Sequence, residues 1–311
     1  MATMQRRMAT VGRRRGLSRR DRRGLAVGLA FISPWILGFL AFQVYPFFAS
    51  LYYSFTFYSV LDTPKWIGLQ NYQNLLEDPR FRTALYNSTY FALFAVPLGA
   101  VVAILMAILL NTKVRGLSIF RTIFYLPSIA PVVATSIVWL WMFNPRNGVI
   151  NYVLSLAGVR GPGWLGSPQW SKPALILMSL WGVGSAVLIY LAALQDVPRE
   201  LIEAAQLDGA SRPRQIWHIT LPMISPVILF NLITGLIGAF QYFTEVHVMT
   251  GGSGSPADST LMLSIYLWQT AFQFFKMGYA AAQAWVLFII IIAFSTILFR
   301  LSGRLVYYGG R

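Results

Sequence analysis

The apolar positions of this chain fall in long, nearly unbroken runs separated by short polar stretches. A helix that crosses a bilayer needs about 20 apolar residues. Runs that satisfy this lie at 24–58, 84–110, 122–143, 173–194, 221–249 and 278–299. They predict six transmembrane helices and an all-α, polytopic membrane protein. The first run is overlong for one crossing, and Pro34 and Pro46 interrupt it. Proline kinks a membrane helix without ending it when neighbours satisfy the freed backbone. A hairpin would need a polar turn, and Gln43 is the only strongly polar side chain there. One long, tilted or kinked helix is therefore expected. Stretches such as Asp62 to Gly68 and Gly161 to Trp164 hold turn formers and interfacial aromatics, so they read as loops.

Composition agrees with this pattern. The chain has 311 residues, of which 56% are hydrophobic and 11% charged. A soluble domain carries about 25% charged residues. The net charge of +15 raises nucleic acid as a partner, but nine of the 25 Lys and Arg lie in the first 23 residues. That is a charge block rather than a basic folded face, and no nucleic acid is expected. There is no cysteine, which excludes disulfides and thiol chemistry. His218 and His247 sit at opposite ends of one apolar run, so no metal site is expected. The N-terminus has no small-x-small cleavage site after a short apolar stretch and reads as an uncleaved anchor.

Basic residues orient the spans. With the N-terminus inside, eighteen Lys and Arg fall on inner segments and seven on outer ones. Both termini are then cytoplasmic. The fifth run carries the most polar residues. Thr234, Gly238, Gln241 and Glu245 recur at i, i+4, i+7 and i+11, which puts them on one helical face, with Tyr242 adjacent and Asn231 a turn earlier. Polar groups inside a span face a cavity or another helix. Amide, hydroxyl and aromatic groups together suit a sugar.

Between the fourth and fifth runs the chain reads Glu203-Ala204-Ala205, three residues, Gly209, nine residues, then Ile219-Thr220-Leu221-Pro222. This resembles the cytoplasmic coupling loop of the permease subunit of binding-protein-dependent ABC importers. Ile67 to Asn87-Ser88-Thr89, Leu126-Pro127 with Pro131, Gly251-Gly252 and Gly278 to Ala282 extend the resemblance over residues 25–305. The chain is most similar to the maltose-type, first-position permease of carbohydrate importers, without that protein's two extra N-terminal spans and large outer domain. The resemblance implies a type I importer fold with a basic cytoplasmic tail at 1–23. It further implies a first transmembrane helix and outer loop at 24–82, and a five-helix transport core at 83–305 with its coupling loop at 198–222. It assigns Glu203, Ala204, Ala205, Asp208, Gly209, Leu221 and Pro222 to docking on a separate ATPase chain. Pro198 would begin the docking helix, Gly209 would turn the backbone and Pro222 would start the next span. For the substrate path it implies Ser128, Met178, Trp181, Gly182, Ser185, Gly238 and Gln241, to which the polar face of the fifth run adds Tyr242 and Glu245. The implied partners are a second homologous permease, a pair of ABC ATPases, an extracytoplasmic solute-binding protein, a carbohydrate and membrane lipid. No cofactor is expected in this chain, because ATP and Mg would bind the partner ATPase.

The chain has no G-x-x-x-x-G-K-[ST] phosphate loop and no nucleophile, base and acid set, so an enzyme is not expected. An ion-coupled carrier stays open as an alternative, although Glu245 is the one carboxylate in the spans that suits it. A polyol or a glycerol phosphodiester stays open beside a sugar as substrate. The expected location is a bacterial cytoplasmic membrane.

Overall fold

A computed structural model describes residues 19–112 and 116–306. Most of the basic tail, together with Lys113, Arg115 and Arg311 of the orientation argument, lies outside the described residues. The chain divides into two units between Tyr52 and Tyr53. In the first, helix runs through Arg19–Phe39, a π turn at Leu40–Val44 and on into Tyr45–Ser54, whose last two residues fall past the unit boundary. It is one continuous helix with no hairpin. The π turn has a physical cause. Pro46 cannot donate an amide hydrogen bond. Just before it, the Tyr45 N–H reaches back five residues to the Leu40 carbonyl. The helix therefore absorbs the proline as a local widening.

Among the described residues, four helices are long and apolar enough to cross a membrane: Arg23–Ser54, Pro79–Leu110, Arg212–Thr250 and Met277–Gly303. Two bent pairs raise the count to six if each is one span. They are Leu117–Ile129 with Val132–Met142, bent by 97°, and Pro168–Trp181 with Gly184–Gln195, bent by 50°. The expected runs at 122–143 and 173–194 are thus each two helices with a bend between them. At the first bend Ala130 and Pro131 are both extended, with ψ 139 and 128. A residue before proline is pushed away from helical geometry, so helix cannot continue through Ala130. A two-residue antiparallel ladder, Thr56–Phe57 with Lys65–Trp66, is the one departure from an all-α fold among the described residues.

The second span organises the second unit. Its Asp78 N-cap accepts the backbone N–H groups of Arg80 and Phe81, satisfying donors a helix start leaves free. Ala84, Ser88, Ala92, Ala103 and Ala107 are wholly or almost wholly buried along it. Small residues let helices approach closely, which is how helices associate where the solvent is as apolar as their side chains. The fourth and fifth spans both pack on this helix, and the fifth also packs on the sixth.

A polar layer closes the end of the bundle where the second span begins. Asn87 is buried and donates to the Asp258 and Leu261 carbonyls at 2.7 and 3.1 Å, while accepting from Lys172 at 3.1 Å. Ser88 accepts the Leu263 N–H at 2.8 Å, and Ser171 and Ser259 share a hydrogen bond of 2.8 Å. Arg80 pairs with Asp258 at 3.3 Å and lies over the Tyr266 ring. Asp78 accepts from the hydroxyls of Tyr266 and Tyr279. Burial pushes the Asp78 carboxyl up. The two tyrosine bonds and the two backbone bonds outweigh that and hold it below the ordinary value of 3.8. Burial and the bond to Asp78 raise the Tyr266 hydroxyl in turn.

Candidate functional site

The opposite end of the bundle carries the segment that the resemblance assigns to coupling. Its helix is Arg199–Leu207, with Pro198 as N-cap. It ends in a Schellman motif. The Gly209 N–H reaches the Gln206 carbonyl at 3.0 Å and the Ala210 N–H reaches the Ala205 carbonyl at 2.8 Å. Gly209 sits at φ +78, a left-handed conformation that glycine adopts without a Cβ penalty. Gln215 then donates from its side chain to the Ala210 carbonyl at 2.7 Å. This buried amide, which the motif does not include, ties the turn to the start of the fifth span. Glu203, Ala204, Asp208 and Gly209 are exposed, and Leu207 is 90% exposed. The exposed side of the helix thus presents a mixed polar and apolar face, and its Glu203 has no ion-pair partner among the described residues.

One boundary differs from expectation. Pro222 does not start the fifth span. Helix is continuous from Arg212, and a π turn at Ile216–Thr220 precedes Leu221 and Pro222. The Leu221 N–H bonds to the Ile216 carbonyl. This is the device seen before Pro46, and the cause is the same missing donor.

Most of the predicted path residues meet at the breaks in the spans. Ser128, Met178, Trp181, Gly182, Tyr242 and Glu245 line one cavity of about 310 Å³. Trp181 is 54% exposed and meets Trp139 edge to face at 6.0 Å. Ser185 belongs to a second cavity of about 360 Å³, which also takes in Asn231, Thr234 and Tyr242. Ser179 and Tyr242 border both cavities. Gly238 and Gln241 line neither cavity and are exposed.

The continuous polar face of the fifth run is not formed. Helix stops at Phe240 and resumes at Thr244, so Glu245 does not stack above Gln241. The chain there is held from outside the helix. Ser264 donates to the Tyr242 carbonyl at 2.7 Å, and the Tyr242 ring stacks on Phe91 at 4.4 Å. A broken backbone at membrane depth is tolerated where it lines a cavity and other groups bond it. The break turns Tyr242 and Glu245 toward Met178 and Trp181.

Ser179 and Gly184 shape the site and were not among the expected residues. A Cβ on Gly184 would sit 2.6 Å from the Phe124 carbonyl oxygen and 3.1 Å from Ser128 Oγ. Only glycine lets the fourth span approach the third so closely just after its bend. Its place two residues from Gly182 is visible in the sequence, but the helix it touches is not.

The family profile described as binding-protein-dependent transport system inner membrane component matches residues 95–306. A probable ABC transporter permease protein, YesP of Bacillus subtilis, is 42% identical, covering 94% of this chain and 95% of its own length. The lactose transport system permease protein LacF of Rhizobium radiobacter is 37% identical over 88% of this chain and 92% of its own. Among solved structures, a chain of a bacterial alginate ABC transporter, crystallised with an alginate pentasaccharide-bound periplasmic protein, superposes with a TM-score of 0.80. That match is 24% identical and covers 92% of this chain and 96% of that one, which establishes a shared fold.

Proposed function

Because the chain belongs to the family of inner-membrane components of binding-protein-dependent transport systems, we propose that it is the translocating subunit of an ATP-driven importer for a neutral saccharide. It works beside a second, homologous permease, and each permease docks one ATPase. An extracytoplasmic binding protein delivers the sugar. ATP and Mg bind the ATPase chains, and this chain needs no cofactor. Its six spans, counting each bent pair once, cross the bacterial cytoplasmic membrane with both termini inside. Residues 83–305 form the transport core.

The observation that carries this reading is the coupling helix Arg199–Leu207, which exposes Glu203, Ala204 and Leu207 at one end of the bundle and is closed by Gly209 at φ +78. It gives a mechanical account of coupling. ATPase closure pushes on Glu203, Ala204 and Ala205. The tight turn through Gly209 and Gln215 passes the displacement into the fifth span. That helix runs through Leu221 and Pro222 to the break at Gln241, where Tyr242 and Glu245 border the cavity. In that cavity the Trp181 ring offers a stacking face, Ser128 and Ser179 offer hydroxyls, and Met178 and Gly182 give an apolar floor. Gly238 and Gln241, exposed on the same span, belong to the face turned to the partner permease.

A phosphorylated substrate, mono- or diester, is disfavoured because no Lys or Arg borders either cavity among the described residues. An ion-coupled carrier would leave the coupling helix without a task. The test is uptake by proteoliposomes holding both permeases, the ATPase and the binding protein. Lactose, an arabino-oligosaccharide and sn-glycerol-3-phosphate form the panel. Uptake of a neutral saccharide that depends on ATP, and that falls with Trp181→Ala, is the expected result. Uptake driven by an ion gradient without ATP would overturn the proposal.

A further inference from the structure

We propose that the short helix Val149–Leu156, which joins the third span to the fourth, lies in the membrane–water interface and holds an anionic phospholipid at Arg146 and Arg160. The membrane follows from the family. Only the choice of the extracytoplasmic leaflet rests on the orientation proposed above. The helix is built the opposite way to one that lies on a protein surface in water, whose outward side is polar. Ile150 and Leu154 pack inward against the core. Asn151 donates to the Pro145 and Pro162 carbonyls at 3.0 and 3.1 Å and accepts the Trp164 indole N–H at 2.7 Å. Val149, Tyr152, Val153 and Leu156 recur at i, i+3, i+4 and i+7, so they form one outward stripe. All four are exposed, Tyr152 by 64% and Leu156 by 72%, and so is Val159 just past the helix. The tyrosine hydroxyl is the one polar group on that stripe.

Charge and position together name what covers it. Arg146 and Arg160 border one hollow of about 610 Å³ with Val149, Tyr152 and Val159. Both arginines are exposed, and neither forms an ion pair among the described residues. No Asp or Glu lies between Asp78 and Asp196, so this stretch offers cations and no anion. Guanidinium groups bind phosphate oxygens. An aliphatic stripe beside them suits the acyl chains that the phosphate carries. The helix also sits at the right level. A Cβ on Gly148 would lie 2.4 Å from the Met142 carbonyl oxygen, so the helix begins against the end of the third span. Trp141 and Trp170, near the ends of the two flanking spans, are exposed, and tryptophan is enriched at the interface. The bonds of Asn151 fix the rotation of the helix and keep the stripe outward. A soluble protein needs a footprint of about 20–30 residues, whereas a lipid is answered by this stripe and its two cations.

The test uses the complete importer in vesicles of equal parts phosphatidylcholine and phosphatidylglycerol. This chain has no cysteine, so with cysteine-free partner chains Leu156→Cys carries a single nitrobenzoxadiazole label. Iodide in the buffer should quench that label about fivefold less than the same label on free cysteine. Lipid bearing a nitroxide near the head of its acyl chain should quench it strongly. Nitroxide phosphatidylglycerol should quench about twofold more than nitroxide phosphatidylcholine at equal content, and Arg146→Gln with Arg160→Gln should make the two equal. Full quenching by iodide would overturn the proposal, and its removal by added binding protein would assign the stripe to that protein. Quenching by neither iodide nor lipid would assign it to the partner permease and also overturn the proposal. Equal quenching by the two lipids in the unsubstituted chain would overturn the anionic site. In intact cells Ser155→Cys should react with a membrane-impermeant maleimide. Reaction only in inverted vesicles would overturn the leaflet and the orientation. Saccharide uptake is followed in the same vesicles. ATP-driven uptake without lipid quenching overturns this proposal alone, and lipid quenching without ATP-driven uptake overturns the importer role alone.

Discussion

If the helix Arg199–Leu207 docks the ATPase as proposed, Gly209 is where backbone conformation and coupling meet, and a substitution series there separates conformation from contact. Its φ of +78 closes the docking helix, yet nothing lies within 4 Å of where a Cβ would sit. A side chain is therefore resisted by the backbone and not by a neighbour among the described residues. Holding an ordinary L-residue in left-handed geometry costs about 1–2 kcal/mol, with a β-branched residue at the upper end. The turn can instead unwind and lose the two bonds at 3.0 and 2.8 Å, each worth about 0.5–1.5 kcal/mol. Either route costs about 2 kcal/mol for Gly209→Val and about 1 kcal/mol for Gly209→Ala. Against a domain stability of about 5–15 kcal/mol the chain still folds. The docking turn, however, is depopulated about 30-fold in the valine variant and about fivefold in the alanine variant. Gly209→Asn should stay near wild type, because asparagine tolerates this conformation although it is larger than alanine. The assay is binding-protein-stimulated ATPase activity and sugar uptake by the reconstituted importer at equal membrane abundance. The expected order of activity is Gly, Asn, Ala, Val. An asparagine variant worse than alanine would show that side-chain size at the ATPase contact decides, and would refute the conformational argument. So would a valine variant at wild-type activity.

Three further outcomes are expected. Glu203→Lys should uncouple ATP hydrolysis from uptake while membrane insertion stays normal. A reversed charge costs more than the about 0–1 kcal/mol of a lost surface pair, and unchanged stimulated ATPase would count against the docking role. Asn87→Ala leaves the Asp258 and Leu261 carbonyls without their donor in a buried layer. It should destabilise the solubilised subunit by about 2–4 kcal/mol, and an unchanged melting temperature would mean that water replaces the amide. Asp78 has a lowered folded value, so its bonds to Tyr266 and Tyr279 contribute fully above the ordinary 3.8 and are lost as pH falls through the lowered value. An acid titration should show this loss in the wild type and not in Asp78→Asn, and identical profiles would assign the acid sensitivity elsewhere.

The parts legible in the sequence are those whose physics is local. A continuous apolar run requires a membrane helix whatever surrounds it, and all six expected runs carry helix. The first run stayed a single helix because Pro46 costs one hydrogen bond, which a π turn absorbs. Glu203 to Gly209 could be read as a short helix with a glycine stop because capping is decided within six residues. The tertiary structure decided what no window of the sequence contains. Residues 241–243 include neither proline nor glycine, yet the fifth span breaks there, because Ser264 and Phe91 from other helices hold Tyr242 outside the helix. That break brings Glu245 to Met178 and Trp181 and leaves Gln241 outside the cavity. The polar layer at the far end joins Asp78 to Tyr266 and Tyr279, and Asn87 to Asp258, across gaps of 171 to 201 positions. Such contacts depend on which helices become neighbours. In a bundle whose exterior is as apolar as its interior, small residues and buried hydrogen bonds settle that choice, and hydrophobicity, the strongest signal in the sequence, does not.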